Sequence, residues 1–239
     1  MPIPSKRRLF ALVPGAGVGE RMQAPLPKQY LSLQGRTLAE HAVSRLLALP
    51  RVDTVMVVIA AQDPWWPALP LAGKARIRTT VGADRRAGSV KKGLRALLDN
   101  GADAGDWVLV HDMARPCVRV TDIEKLIEQC GEQGAILAQP VSDTLKRAAG
   151  NRIAETVPRA ALWRAQTPQL FPLGALHDAI EKALTDGVDV TDEASAMEHT
   201  GWQPHLVAGS ADNIKVTQAG DLALAEFILE RQKVLDARS

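Results

Sequence analysis

Short apolar runs alternate with amphipathic segments along most of the chain, and this alternation strongly restricts the fold. The runs are short and rich in branched side chains, as is typical of buried strands; they lie at residues 9–13, 54–60, 107–111 and 135–138. Amphipathic helices are expected between them. The pattern predicts an α/β, Rossmann-like fold, with a mostly parallel sheet, helices on both faces and right-handed crossovers.

Three predicted helix starts carry capping residues. Thr37 opens T-L-A-E and Thr121 opens T-D-I-E, both patterns of a capping box, and Ser89 is a candidate cap for the helix that follows residue 89. Later elements are expected as helices at 173–185 and 192–199, a short strand at 213–216 and a long helix at 218–235. We expect residues 1–239 to form a single domain.

The first predicted strand runs into a glycine-rich loop at residues 14–19, P-G-A-G-V-G. Such loops often bind phosphate, because glycine lets backbone N–H groups approach the anion. The spacing fits neither a Walker loop nor G-x-G-x-x-G, since Glu20 stands where the third glycine belongs. Arg21 and Lys28 follow in the same segment, which indicates that it neutralises a polyphosphate with side-chain cations.

Two other loops also follow predicted strands. Residues 82–89 (GADRRAGS) follow a strand candidate at 77–81, and residues 111–116 (HDMARP) follow the run at 107–110. In open parallel sheets, ligands bind at the carboxyl ends of the strands. We therefore expect these two loops and the glycine-rich loop to converge at one edge of the sheet.

Residues 141–166 break the alternation. Gly150 and Asn151 lie between two strand candidates at 144–148 and 152–157, which predicts a hairpin with few large apolar residues. A two-stranded hairpin is not stable by itself in water. Two interpretations remain open: a β-arm that packs on a second subunit, or a surface excursion.

The composition excludes several classes of protein. A net charge of +2 is too balanced for a nucleic-acid-binding surface, and no apolar run approaches the length of about 20 residues that spans a bilayer. Cys117, Cys130 and the histidines show no zinc-ligand spacing, and the run at 9–13 is too short for a secretory signal. We therefore expect a cytoplasmic protein with reduced cysteines and without nucleic-acid or membrane partners.

A series of motifs occurs in order along nearly the whole chain: PGAGVGERM with PKQY, RRAGSV, VHDMARP, SDTLKR, TPQ, TDEASA and DNIKVT. Together they resemble the 2-C-methyl-D-erythritol 4-phosphate cytidylyltransferase family. The resemblance implies a nucleotidyltransferase domain that converts CTP and methylerythritol phosphate to a CDP-linked alcohol and pyrophosphate. It also implies Mg²⁺ as cofactor and a homodimer formed through the 141–166 arm. Because a phosphate dianion attacks a triphosphate, such a site must offset their mutual repulsion.

The resemblance assigns catalytic roles to three cations, Arg21, Lys28 and Lys215. Lys28 would stabilise the reacting α-phosphate and Lys215 would reach the junction between the two phosphates, although either lysine could instead be a solvated side chain. Nucleotide contacts, many through the main chain, would come from Pro14, Gly15, Ala16, Gly17, Gly19, Ala83, Asp84, Ser89 and Met113.

Four further residues are expected to contact the substrate. Asp112 follows a buried strand and would also hold Mg²⁺; a turn aspartate is the alternative. Arg115 would meet the substrate phosphate, or else form a structural ion pair. By the resemblance, Thr144 and Arg159 on the predicted arm contact methylerythritol phosphate from the neighbouring subunit, so the active site would be shared.

Four positions depart from the usual family pattern. Gly15 and Ala83 are expected to act through the backbone, so little is lost there, whereas Gly88 removes a carboxylate from the nucleotide loop. Met113 adds a flexible apolar side chain near the expected nucleotide, where it could narrow the pocket or turn into the core.

Two other functions remain open. Ribitol 5-phosphate cytidylyltransferase has a closely similar fold and chemistry but uses another alcohol. A non-catalytic nucleotide-binding module would be expected to lack one of the cations, and all are present. A dehydrogenase is disfavoured by the missing third glycine and by Ala60 and Ala61 at the end of the second strand, where an acidic residue is expected.

Overall fold

The computed structural model describes residues 3–4, 6–17 and 26–236. Within them lie the strands β1 (Leu9–Pro14), β2 (Ser32–Leu33), β3 (Arg36–Thr37), β4 (Val52–Ile59), β5 (Ile77–Val81), β6 (Trp107–Val110), β7 (Ala135–Pro140), β8 (Leu145–Ala149), β9 (Arg152–Val157), β10 (Trp163–Pro172) and β11 (His205–Ala208). The α-helices of this part of the chain are α1 (Leu38–Leu47), α2 (Arg86–Asp99), α3 (Val120–Gln129), α4 (Leu173–Thr185), α5 (Glu193–His199) and α6 (Ala219–Asp236). None of them combines the length and hydrophobicity needed to cross a membrane.

Seven strands form one sheet in the order β11-β7-β10-β6-β1-β4-β5. The half that carries the glycine-rich loop is wholly parallel, because β1 pairs with β4 and β6, and β4 pairs with β5. β11 is parallel to β7, and β10 runs antiparallel between β6 and β7. This arrangement confirms the predicted α/β fold with a mostly parallel sheet.

β10 is not predicted by its sequence pattern. Polar residues and Pro168 interrupt its apolar run, and the pairing with β7 shifts register between Ala165 and Gln169. A proline cannot donate to a strand ladder and is normally confined to edges or bulges, so its presence argues against a central strand. Pro168 lies within the register shift, where regular pairing with β7 is interrupted, so the strand can tolerate a residue without an N–H group.

Apolar side chains cover both faces of the sheet. In β1, Leu9, Ala11 and Val13 face the layer of α1 and α3, whereas Phe10 and Leu12 face the layer of α2, α4 and α5. This alternation follows from the two-residue period of a strand. α6 packs near β2 in a third, smaller cluster. The predicted helices on both faces are therefore confirmed.

The predicted capping box of α1 is present. The Thr37 hydroxyl accepts from the Glu40 N–H at 3.1 Å, and the Glu40 carboxylate accepts from the Thr37 N–H at 2.8 Å. These two bonds satisfy backbone donors that have no partner inside the helix.

The other two predicted caps are wrong. α2 and α3 begin before Ser89 and Thr121, which therefore lie inside the first turns of their helices. The cap positions are Arg85 and Arg119, whose backbones are extended and whose side chains make no capping hydrogen bond. A polar side chain near the start of a helix is thus insufficient to locate the cap residue. The cap is the last residue with an extended backbone before the helix, whatever its side chain.

The predicted hairpin is present as an antiparallel sheet of β8 and β9, separate from the large sheet. Gly150 lies in its turn with a φ of 60°, a value that favours glycine. Nearly all side chains of both strands are exposed. The hairpin therefore buries little surface against its own chain.

The predicted strand at 213–216 is wrong, because this segment belongs to no strand. Instead, the Val216 N–H donates to Ala114 O at 2.8 Å, and the wholly buried Asn213 donates through Nδ2 to Thr167 O at 2.8 Å. The first bond attaches the backbone beside Lys215 to the loop after β6, and the second attaches the same segment to β10.

α2 approaches the sheet closely at Gly93. A Cβ at this position would lie 2.5 Å from Leu12 Cδ1 and 2.8 Å from Val58 Cγ2. We expect Gly93→Ala to lower the free energy of unfolding by about 1–3 kcal/mol, because overpacking outweighs the better helix propensity of alanine. Chemical denaturation would measure the change. Gly220→Ala in α6 is the control, since nothing lies within 4 Å of its added Cβ. A Gly93→Ala protein as stable as the wild type would contradict the prediction.

Candidate active site

The protein itself holds the described part of the glycine-rich loop, residues 14–17. Nε2 of the buried Gln29 donates to Gly15 O at 2.8 Å and to Gly17 O at 3.0 Å. The Gly15 N–H donates to Val58 O at 2.8 Å, at the end of the pairing between β1 and β4. The main chain of this loop is therefore fixed where the first strand ends.

Lys28 and Lys215 reach the same cavity from opposite ends of the chain. Lys28 begins a single 3-10 turn, and its Nζ lies 3.4 Å from the carbonyl oxygen of Val216. The cavity has a volume of about 300 Å³. It is lined by Pro14, Gly15, Ala16, Gly17, Lys28, Gln29, Ala83, Asp84, Arg85, Arg86, Ser89, Asp112, Met113, Ala114 and Lys215. The predicted convergence of the three loops is confirmed.

Asp112 is the anionic centre of this cavity. Its Oδ2 lies 2.7 Å from Lys215 Nζ, and its Oδ1 accepts from Arg86 Nε at 3.0 Å and Nη2 at 2.9 Å. Burial alone would raise the pKa of Asp112, but the charges of Arg86 and Lys215, with that of Arg115, hold it well below its usual value. The carboxylate is therefore ionised at neutral pH.

His111 supports the backbone of Asp112. The Asp112 N–H donates to Thr167 Oγ1 at 3.0 Å, and the same hydroxyl lies 3.0 Å from His111 Nδ1. Nε2 of His111 lies 3.1 Å from Arg115 O, which can only accept, so the ring proton is on Nε2. Burial lowers the pKa of His111 to about 4, so the ring is neutral at pH 7. The geometry therefore gives His111 a structural role.

A second cavity, of about 190 Å³, adjoins the first. Both cavities are lined by Arg86, Asp112 and Lys215, so these three charged side chains stand where the two meet. The rest of the second lining is Arg115, Ala165, Gln166, Thr167, Gln169, Thr191 and Asp192. Nη1 of Arg115 donates to Asn213 O at 2.6 Å. Two anionic ligands, one in each cavity, would meet at the shared charges.

Ser89 stabilises the loop before α2. Its Oγ donates to Ala83 O at 3.0 Å and accepts from the Ala83 N–H at 2.9 Å. Ala83, Asp84 and Ser89 all line the larger cavity. Because the Ser89 hydroxyl is engaged with Ala83, the main chain of the loop and Asp84 are the better candidates for direct contact with a ligand.

Met113 and Gly15 fit each other. A Cβ on Gly15 would lie 2.4 Å from Met113 Cε and 2.7 Å from its Sδ. Met113 is 3% exposed and packs in the core, yet it also lines the larger cavity. The methionine therefore turns into the core beneath the glycine-rich loop, and the space that it needs is available because residue 15 has no side chain.

Four predicted site residues are absent from the described linings of these cavities, for two different reasons. Gly19 and Arg21 lie outside the described residues. Thr144 and Arg159 are exposed and line neither cavity; the Arg159 guanidinium donates to Ser142 O. Within one chain, the two arm residues therefore do not contribute to the site.

Three residues are missing from the predicted site: Gln29, Arg86 and Glu193. Each lies inside one of the family motifs, PKQY, RRAGSV or TDEASA. The motifs therefore include these residues but do not indicate their roles. Arg86 donates through Nη1 to Glu193 Oε1 at 2.7 Å and through Nη2 to Oε2 at 3.1 Å. Residues 86 and 193 are far apart in the sequence, so only the folded structure, in which α2 and α5 both pack against α4, reveals this pairing.

Comparisons with known proteins agree with the motifs and the geometry. A family model for 2-C-methyl-D-erythritol 4-phosphate cytidylyltransferase matches residues 9–231. The protein of that name from Tolumonas auensis is 52% identical over 227 residues, which cover 94% of this chain and 97% of the relative. A solved 4-diphosphocytidyl-2C-methyl-D-erythritol synthase is similar with a TM-score of 0.82 and 39% identity, covering 94% of this chain and 99% of that one. For the Francisella tularensis cytidylyltransferase, the TM-score is 0.81 and the identity 33%, with coverages of 92% and 99%. This chain belongs to the 2-C-methyl-D-erythritol 4-phosphate cytidylyltransferase family.

Proposed function

We propose that this protein transfers the cytidylyl group of CTP to 2-C-methyl-D-erythritol 4-phosphate, giving 4-diphosphocytidyl-2-C-methyl-D-erythritol and pyrophosphate. An oxygen of the acceptor phosphate forms a bond to the α-phosphorus of CTP. The bond from that phosphorus to the oxygen that bridges to the β-phosphate breaks, and pyrophosphate leaves with the electron pair. The observation that carries the proposal is the pair of adjoining cavities that share Arg86, Asp112 and Lys215.

CTP would occupy the larger cavity and methylerythritol phosphate the smaller one. The main chain of residues 14–17 and 82–85 would face the nucleotide, and Gly19 would extend this contact. Arg115, which lines the smaller cavity, would meet the acceptor phosphate. A guanidinium suits this role because its planar donors match phosphate oxygens.

Catalysis would depend mainly on cations held in place. Lys28 and Lys215 line the cavity from two sides, and Arg21 would add a third charge from the same loop as Lys28. They would offset the repulsion between the two phosphates and then stabilise the charge on five-coordinate phosphorus. The attacking phosphate is already ionised, so no general base is required, which agrees with a buried and neutral His111.

The residues present fit a magnesium ion. Asp112 is ionised, and Mg²⁺ in nucleotide sites is often held by only one or two carboxylates together with substrate phosphates. Oδ1 already accepts two hydrogen bonds from Arg86 and Oδ2 contacts Lys215, so Asp112 would hold the ion through a remaining lone pair of Oδ2 or through a bound water. When bound, the ion would supply charge neutralisation between phosphate oxygens.

We further propose a homodimer in which the 141–166 arm contributes Thr144 and Arg159 to the neighbouring subunit's site. The apolar side chains of Ile153 and Trp163 are 68% and 38% exposed, which supports a partner surface. We place the enzyme in the cytoplasm, where the free thiols of Cys117 and Cys130 would stay reduced.

A pyrophosphate-release assay tests the proposed reaction. The protein is incubated with each of CTP, UTP, ATP and GTP, and with methylerythritol phosphate or ribitol 5-phosphate as acceptor. We expect release from CTP with methylerythritol phosphate to exceed every other combination by at least about tenfold. Chelation with EDTA should abolish the release, and added Mg²⁺ should restore it. Preferred use of ribitol 5-phosphate would contradict the proposed acceptor, and binding of CTP without turnover would contradict the enzyme.

A further inference from the structure

A buried carboxylate lies next to the site without lining either cavity. Glu193, the first residue of α5, is 1% exposed, and its two oxygens accept from Nη1 and Nη2 of Arg86. Burying a carboxylate is costly unless it is paired and hydrogen-bonded. The contact with Arg86 therefore offsets the cost of burying the Glu193 carboxylate.

The other edge of Arg86 holds one oxygen of Asp112. Nε and Nη2 both donate to Oδ1, while Oδ2 contacts Lys215. Four groups of alternating charge therefore follow one another, from Glu193 through Arg86 and Asp112 to Lys215. They come from α5, from α2, from the loop after β6 and from the segment before α6.

This arrangement is not the one that an arginine and an aspartate adopt by themselves. Arginine commonly binds a carboxylate in a bidentate manner, with one N–H group on each oxygen. Here Glu193 holds Nη1 and Nη2, and because Nη2 is shared between the two carboxylates, Arg86 reaches Asp112 at Oδ1 alone. Oδ2 is left for Lys215, the cation expected at the junction of the two phosphates.

We propose that Arg86 and Glu193 form a positioning pair, which orients the Asp112 carboxylate and thereby places the Lys215 ammonium for catalysis. This inference rests on the proposed cytidylyl transfer. Without Glu193, the guanidinium turns to take both Asp112 oxygens and displaces Lys215. Since small displacements of reacting groups cost large factors in rate, the loss falls on kcat.

The test compares Glu193→Gln, Arg86→Lys and the double variant. We expect Glu193→Gln to lower kcat about tenfold or more, with KM for CTP changed by less than about twofold. The double variant should be no slower than Arg86→Lys, because Glu193 acts only through Arg86. Glu181→Gln is the matched control: this exposed carboxylate pairs with Lys91 at 2.8 Å and lines neither cavity, so kcat should not change.

A second measurement does not depend on turnover. Acetic anhydride labelling followed by mass spectrometry reports how available the Lys215 amine is, with Lys125 as an internal reference. In Glu193→Gln, Lys215 should react at least about threefold faster than in the wild type, because its ammonium no longer contacts Asp112 Oδ2. If Glu193→Gln does not fold by circular dichroism, Glu193→Asp replaces it in both measurements, since its shorter carboxylate cannot hold the same two nitrogens.

The outcomes separate this proposal from the proposed function. A wild-type protein that releases no pyrophosphate overturns the function, and the labelling of Lys215 then decides whether the pair exists. An active wild type with full kcat in Glu193→Gln, or with additive losses in the double variant, overturns the positioning pair alone. Unchanged Lys215 labelling in the folded variant also overturns it.

Discussion

Lys215→Ala is expected to lower kcat by about a hundredfold, and Lys28→Ala to do the same. Each substitution removes one cation from a cavity in which two phosphates must approach, and losing one contact to the charge of a transition state typically costs a factor of about 10²–10³. Lys215 lies where the two cavities meet, and Lys28 lies beside Val216, the next residue along the chain. Steady-state kinetics with CTP and methylerythritol phosphate would measure both losses.

The control for both variants is Lys125→Ala. Lys125 also donates to a backbone carbonyl, that of Ala208 at 2.9 Å, but lines neither cavity. Its removal should leave kcat unchanged. Full turnover in both Lys28→Ala and Lys215→Ala would show that neither ammonium acts on the transferred phosphate.

Arg159→Ala is expected to inactivate the enzyme, by about a hundredfold in kcat, if the arm serves a neighbouring subunit. Its exposed guanidinium lines neither cavity of its own chain, so a role in catalysis requires a second chain. Dimers that combine Arg159→Ala with Lys215→Ala should then recover activity. In a mixed dimer, one site carries both defects and the other carries none.

The activity that such mixed dimers should recover can be calculated. Random association of equal amounts gives mixed dimers in about half of the population, each with one intact site, so activity should reach about a quarter of the wild-type value. Co-expression of differently tagged chains would provide this mixture, and tandem purification would then isolate the mixed dimers, whose activity should be about half of the wild-type value. Arg147→Ala is the control, because this exposed arm residue pairs with Glu155 on the hairpin itself. A mixture no more active than its components would place Arg159 outside the neighbouring site.

Much of the fold follows from local rules. The apolar runs predict β1, β4, β6 and β7 to within a few residues, because strands buried on both faces are continuously apolar. The capping box at Thr37 and the hairpin turn at Gly150 are likewise local signals. β10 escapes these rules because Pro168 and its polar neighbours conflict with a central strand, and the register shift that accommodates them is a property of the sheet.

The candidate site divides in the same way. The motifs alone mark Lys28, Asp112 and Lys215, and the parallel sheet predicts that the loops of Lys28 and Asp112 meet, whereas the strand predicted around Lys215 is not formed. They do not show that Met113 fills the space left by Gly15, or that the Ser89 hydroxyl is engaged with Ala83 instead of capping α2.

The order of elements, the family motifs and the identity of the charged side chains are thus properties of the sequence by itself. Only the tertiary structure decides which charges pair: Lys215 with Asp112, and Asp112 with an arginine that also pairs with Glu193. The physical reason is the different range over which these interactions act. Propensities, caps and strand periods act over a few residues, whereas an ion pair depends on ångström-scale distances between groups that the packed sheet and helices bring together from distant parts of the chain.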